Sequence, residues 1–282
     1  MSVSAVREPD LSLPVPGGTD LAVYLDGPDQ ADTTLVMVHG WSTSAAVWNE
    51  QIGQLATPGI RWVRYDQRGH GATPMGHHRI AMEVLAEDLA RVIDAAAPYG
   101  RVVLVGHSMG GMVVTALAAT RPDLFGDRIR GVLLSSTCGR TAETPCGRGG
   151  HLLARSRGRL LFWADRLTTS VRTAVLFGCS VGLYSVPVPL AARYWRTVTR
   201  HDQSRTLGVL ARAKVLVMVG EKDRVTPVRA ARDLVRHIPG SQLLIAPDVG
   251  HHLPQCWPAT VDDFLRQLPR WQVRARQALP VG

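Results

Sequence analysis

The run Val102-Val-Leu-Val-Gly106-His-Ser108-Met-Gly110-Gly111 constrains this 282-residue chain more than any other segment. Its consecutive aliphatic residues read as a strand buried on both faces, because a half-exposed strand would alternate with polar residues. Residues 110–119, small and apolar, read as a buried helix. The join between them is Gly-x-Ser-x-Gly. A serine at so tight a strand-to-helix turn is held in a strained backbone conformation, and the glycines leave room that a Cβ would fill. Its hydroxyl then faces outward at the carboxyl end of a strand, where open α/β sheets carry their sites. Ser108 is therefore the candidate nucleophile.

Strand and helix patterns alternate along the chain. Strands are expected at 21–25, 35–38, 62–65, 102–105, 132–134, 215–219 and 242–245, and helices at 45–55, 81–97, 110–119, 227–237 and 259–268. Such alternation implies an α/β fold with a mainly parallel sheet covered by helices on both faces. It is interrupted once. Residues 138–206 have a helical pattern and carry Phe162, Trp163, Phe177, Tyr184, Tyr194 and Trp195. They are expected to form a helical cap inserted after the sixth core strand, with residues 1–137 and 207–282 forming the core. Eleven arginines against three acids give this insertion a charge of +8, nearly all of the chain's net +9. The bland reading is a solvated lid whose long arginines keep their heads in water. The other is a docking surface for something acidic, such as a CoA phosphate, an acyl carrier protein or, by peripheral contact, an anionic lipid surface. Nucleic acid is not expected, since no reading motif is present.

A serine hydroxyl is a weak nucleophile and needs a base within hydrogen-bond reach. Val249-Gly250-His251-His252-Leu253-Pro254 offers two adjacent histidines. His251, directly after the glycine, is the preferred base, with His252 as its rival. The base needs an acid to hold its tautomer and stabilise the imidazolium. Asp223 in Gly220-Glu-Lys-Asp223 follows the apolar strand 215–219, with Glu221 as the alternative. Backbone donors for an oxyanion are expected from the amide of Met109, at the start of the helix after the serine, and from that of Trp41 in Val38-His39-Gly40-Trp41. The Trp41 ring would then flank the acyl pocket. The pairs His77-His78 and His251-His252 have no carboxylate or cysteine at ligand spacing, so neither a metal nor any other cofactor is expected.

His39-Gly40-Trp41, Tyr65-Asp66-Gln67-Arg68-Gly69-His70-Gly71, Gly106-His-Ser-Met-Gly-Gly111, Gly220-Glu-Lys-Asp223 and Gly250-His251 lie in this order between residues 35 and 268. The series resembles the motif set of the α/β-hydrolase superfamily. The resemblance implies that fold, a Ser108–His251–Asp223 triad, and a structural role for Asp66, Arg68, Gly69 and Gly71. It also implies that His39, His70 and His107 order turns. Epoxide hydrolases and haloalkane dehalogenases of the superfamily carry aspartate at the elbow, where this chain has Ser108. Trp41, followed by Trp48, is similar to the arrangement in carboxylesterases acting on pimeloyl-carrier-protein methyl ester. The expected activity is hydrolysis of a carboxylic ester or thioester of a small-molecule acyl substrate, free or linked to CoA or a carrier protein. Acyl transfer, perhydrolysis and C–C hydrolysis are alternatives with the same triad, and a non-catalytic scaffold is a third class. The cysteines, Cys138, Cys146, Cys179 and Cys256, suggest no disulfide framework, and residues 1–18 lack the apolar run of a secretory signal. A cytoplasmic setting is expected.

Overall fold

The computed structural model describes residues 7–54, 59–144 and 186–251. Eight strands form one sheet: β1 (Leu11–Val15), β2 (Thr19–Asp26), β3 (Thr33–Val38), β4 (Ile60–Tyr65), β5 (Arg101–His107), β6 (Ile129–Ser135), β7 (Lys214–Gly220) and β8 (Gln242–Ala246). Their order is β1-β2-β4-β3-β5-β6-β7-β8. Pairing is antiparallel at β1–β2 and β2–β4, and parallel everywhere else. The described helices are α1 (Asn49–Gln54), α2 (Met82–Ala96), α3 (Met109–Thr120), α4 (Val188–Val198) and α5 (Val228–His237).

The two-residue period of a strand divides the central apolar runs between two cores. Val36, Val38, Val102, Leu104, Val215 and Val217 face a cluster that includes residues of α2, α3 and α5. Their neighbours Leu35, Met37, Val103, Val105, Leu216 and Met218 face a second cluster around Trp48 and Trp62. Burial on both faces is why β3, β5 and β7 read as unbroken apolar runs.

The expected strands are all present, extended by one to three residues at most ends. The segment expected as a helix over 45–55 is a 3-10 turn, Ala45–Trp48, running into α1. β1 was not expected. It is an edge strand containing Pro14, which has no amide to give a ladder and is tolerated at an edge. Gly17 and Gly18, both at positive φ, close its hairpin to β2. Of the insertion expected at 138–206, the described residues include a 3-10 turn at Thr141–Glu143 and the helix α4. The rest of it, the final helix expected at 259–268, His252 and three of the four cysteines lie outside the described residues. No described helix is long and apolar enough to cross a membrane.

Candidate active site

Ser108 lies between β5 and α3 with φ 52° and ψ −119°, a conformation that costs a non-glycine residue about 1–3 kcal/mol. The surroundings impose it. Its N–H donates to the Ser135 carbonyl at 2.9 Å, and its carbonyl accepts from Thr137 Oγ1 at 2.7 Å and from the Gly111 amide at 3.0 Å. The glycines are sterically required. A Cβ on Gly106 would lie 2.7 Å from the Gly111 backbone, and one on Gly110 would lie 2.1 Å from the Val38 carbonyl oxygen. The elbow is thus wedged between β3 and its own helix, with the serine hydroxyl at the carboxyl edge of the sheet.

At that edge the chain returns twice, after β7 and after β8. His251 Nε2 is 3.0 Å from Ser108 Oγ, and His251 Nδ1 is 2.9 Å from Asp223 Oδ2. Asp223 is buried, and its other oxygen accepts from the Val225 and Thr226 amides at 2.8 and 2.9 Å. Thr226 Oγ1 donates to Oδ2 at 2.9 Å. Burial works to raise the Asp223 pKa, but the bond from His251 and these amides outweigh it, and the carboxyl lies below its usual range. An ionised Asp223 accepts the Nδ1 proton of His251 and leaves the Nε2 lone pair toward the serine. Glu221, the alternative acid, is exposed and, among the described residues, accepts from the Asp248 amide, at 3.3 Å.

Of the two residues expected to supply oxyanion donors, Met109 follows Ser108 directly and Trp41 belongs to the loop after β3. Met109 is the first residue of α3, so its amide has no acceptor within the helix. The 39–41 loop passes close by: a Cβ on Gly40 would come within 3.3 Å of Ser108 Cβ. Next to it, the Trp41 ring packs against Trp195 of α4, with centroids 5.3 Å apart.

The remaining motif residues hold these loops. Asp66 accepts from the Ala45 amide at 2.7 Å, the Ala72 amide at 2.9 Å and the Tyr24 hydroxyl at 3.1 Å. Arg68 makes a buried two-pronged ion pair with Asp88 at 2.5 and 2.7 Å. The Gln67 amide donates to His39 Nε2 at 3.0 Å, which puts the ring proton on Nδ1, toward the Gly40 carbonyl. Similarly the Ser42 amide donates to His70 Nε2, and Nδ1 faces the Arg68 carbonyl. His107 Nε2 reaches the carbonyl of His251 at 2.9 Å. All three rings brace turns, as the sequence suggested.

Sequence reasoning missed Thr226 and Thr137. Thr226 stands three residues after Asp223 and directly before Pro227, a spacing at which a turn returns a hydroxyl to the aspartate. That signal was legible. Thr137 had none, because its bond to Ser108 crosses between strands.

A family model described as the Alpha/beta hydrolase family matches residues 35–264. The bifunctional esterase/perhydrolase DCH of Acinetobacter calcoaceticus is 24% identical over 267 residues, covering 88% of this chain and 95% of that protein. A pimeloyl-[acyl-carrier protein] methyl ester esterase of Nitrosomonas europaea is 26% identical over 252 residues, covering 80% and 89% respectively. Among solved structures, a thermophilic esterase from Thermogutta terrifontis superposes with a TM-score of 0.72 at 26% identity, over 92% of this chain and 96% of that one.

Proposed function

Since this chain belongs to the alpha/beta hydrolase family, we propose that it is a serine hydrolase that cleaves a carboxylic ester or thioester through an acyl-Ser108 intermediate. The observation that carries the reading is the unbroken line of hydrogen bonds Asp223–His251–Ser108, with links of 2.9 and 3.0 Å. In this mechanism Ser108 Oγ attacks the acyl carbonyl while His251 Nε2 accepts its proton. Asp223 keeps the Nδ1 proton in place and stabilises the imidazolium. The Met109 and Trp41 amides hold the developing oxyanion. The imidazolium returns its proton to the leaving oxygen or sulfur. Water, deprotonated by the same Nε2, then releases the acid and restores Ser108. No step needs a metal or an organic cofactor.

The substrate is a small acyl compound, either free or carried on CoA or a carrier protein; the similarity to the Nitrosomonas esterase favours a carrier-linked ester. A second reading, perhydrolysis with hydrogen peroxide in place of water, draws on the similarity to the Acinetobacter esterase/perhydrolase.

A fluorophosphonate probe should label the wild-type chain once, and Ser108→Ala should abolish both labelling and ester turnover. Labelling that persists in Ser108→Ala would overturn the nucleophile assignment. Profiling p-nitrophenyl esters against acyl thioesters, with and without peroxide, separates ester, thioester and peracid chemistry.

A further inference from the structure

We infer that the groove between α4 and the N-terminus of α2 binds the phosphate group of a small anionic ligand. The site is apart from Ser108 and does not rest on the hydrolase reading. Arg79, Arg193, Arg196 and Arg200 line it, along with residues 80–83 and His201. Arg193 and Arg196 are spaced three apart on one face of α4, Arg200 lies just past its end, and Arg79 comes from the segment leading into α2.

Three features set this groove apart from the arginine-rich surface as a whole. First, several arginines elsewhere are matched: Arg7, Arg61, Arg64, Arg68, Arg91 and Arg121 each pair with an acid, and those without one among the described residues, such as Arg101 and Arg232, do not line this groove. None of the four groove arginines forms an ion pair among the described residues. The acids beside them, Glu83 and Asp202, are fewer, and Asp202 is engaged by the amide and hydroxyl of Ser204.

Second, α2 starts here without a side-chain cap. Ala81 occupies the cap position, so the first amides of a 15-residue helix point out with no intrahelical acceptor. A helix start of this kind favours an anion.

Third, His201 is buried against the groove with an unsatisfied nitrogen. Thr115 Oγ1 gives its own proton to the Met112 carbonyl at 2.8 Å, so at 3.0 Å it accepts from His201 Nε2–H. That leaves Nδ1 buried with no partner among the described residues.

Four guanidinium groups and the amides at a helix start suit a group with two charges and several acceptor oxygens, which is a phosphate rather than a single carboxylate. The groove encloses about 440 Å³, the size of a small-molecule site. Thr115, under His201, is seven residues along α3 from Ser108, about 10 Å at the helical rise of 1.5 Å per residue. An occupant is thus separable from the reacting carbonyl.

The test is calorimetric titration of the full chain with inorganic pyrophosphate at low ionic strength. Saturable one-site binding is expected, weakening as salt is added. The double variant Arg196→Ala/Arg200→Ala should lose about tenfold or more in affinity, since each charge-assisted contact contributes strongly. Arg101→Ala/Arg232→Ala removes the same net charge from exposed positions outside the groove and should bind like wild type. Equal weakening in both double variants would reduce the effect to bulk charge and overturn the site, as would absence of saturable binding. Cosedimentation with phosphatidylglycerol vesicles separates the sources of phosphate. Vesicle binding lost in Arg196→Ala/Arg200→Ala but not displaced by pyrophosphate would make the groove a membrane contact and overturn the small-ligand site.

Discussion

At the scale of single residues, the proposed chemistry rests on how Asp223 is held. The sequence offered Glu221 and Asp223 two positions apart on one loop; only Asp223 turns inward, where Thr226, two amides and His251 converge on it. Asp223→Asn should lower kcat by roughly four orders of magnitude, because an amide favours the wrong imidazole tautomer. His251→Ala should cost roughly three orders or more. Glu221→Gln should leave kcat close to wild type. Steady-state kinetics on an activated ester, with circular dichroism to check folding, decides this. A dead Glu221→Gln beside an active Asp223→Asn would move the acid to Glu221. Thr226→Val should fall between these cases, lowering kcat about tenfold with little change in KM, as for a positioning residue that touches Asp223 and not substrate.

At the scale of elements, α4, from the arginine-rich segment expected as an insertion, is anchored to the sheet's loops. Its Tyr194 hydroxyl donates to the Arg68 carbonyl at 2.6 Å, and its Thr197 hydroxyl donates to the Ile80 carbonyl at 3.0 Å. Leu190 packs so closely on Gly69 that a Cβ there would lie 2.5 Å from Leu190 Cδ2. The same helix carries Trp195 onto Trp41. Anchoring α4 therefore fixes one wall beside Ser108. Tyr194→Phe removes one of the two donors to the buried Arg68 carbonyl and leaves His70 Nδ1, at a cost of about 0.5–1.5 kcal/mol. In a chain of this size that lowers Tm by about 2–4 °C per kcal/mol, measurable by calorimetry, while fluorophosphonate labelling of Ser108 persists. An unchanged Tm would mean that Tyr194 does not anchor the helix. Tyr194 and Trp195 read from sequence as cap aromatics. That one grips the Tyr65-to-Gly71 turn and the other covers the loop after β3 depends on how an insertion folds back, which local patterning does not encode.

At the scale of the whole molecule, three of the four histidines buried among the described residues shape the response to acid. Burial pushes His39 down to about 4, His70 to about 3 and His201 to about 4. In the unfolded chain each titrates near 6.5. Above that pH neither state binds these protons and stability is at its full value. As pH falls below about 6.5 the unfolded state takes them up first, so stability is lost at about 1.4 kcal/mol per pH unit for each histidine, until the folded values are reached. Asp88, raised by burial, contributes with the opposite sign. Tm should be flat above pH 7 and drop steeply between pH 6 and 5, before most carboxylates titrate. A Tm that is constant from pH 7 to 5 would contradict buried neutral rings.

Local patterning specified the seven strands β2 to β8 and the residues offered to the chemistry. Apolar runs such as 102–105 and 215–219 have a single good solution, a strand covered on both faces. The glycines at 106 and 110 admit the backbone approach that an elbow requires. These signals are local, so they are legible in one dimension. Only the tertiary structure brought Ser108 and His251, 143 residues apart, to 3.0 Å, and set Asp223, the acid the sequence favoured, 2.9 Å from His251. Only it set α4 against the start of α2, gathering Arg79 with Arg193, Arg196 and Arg200 around one groove. The physical reason is common to all of these. Hydrogen-bond and charge partners are chosen by distance in space, and contacts between distant segments are fixed by sheet order and helix docking rather than by the residues next to them.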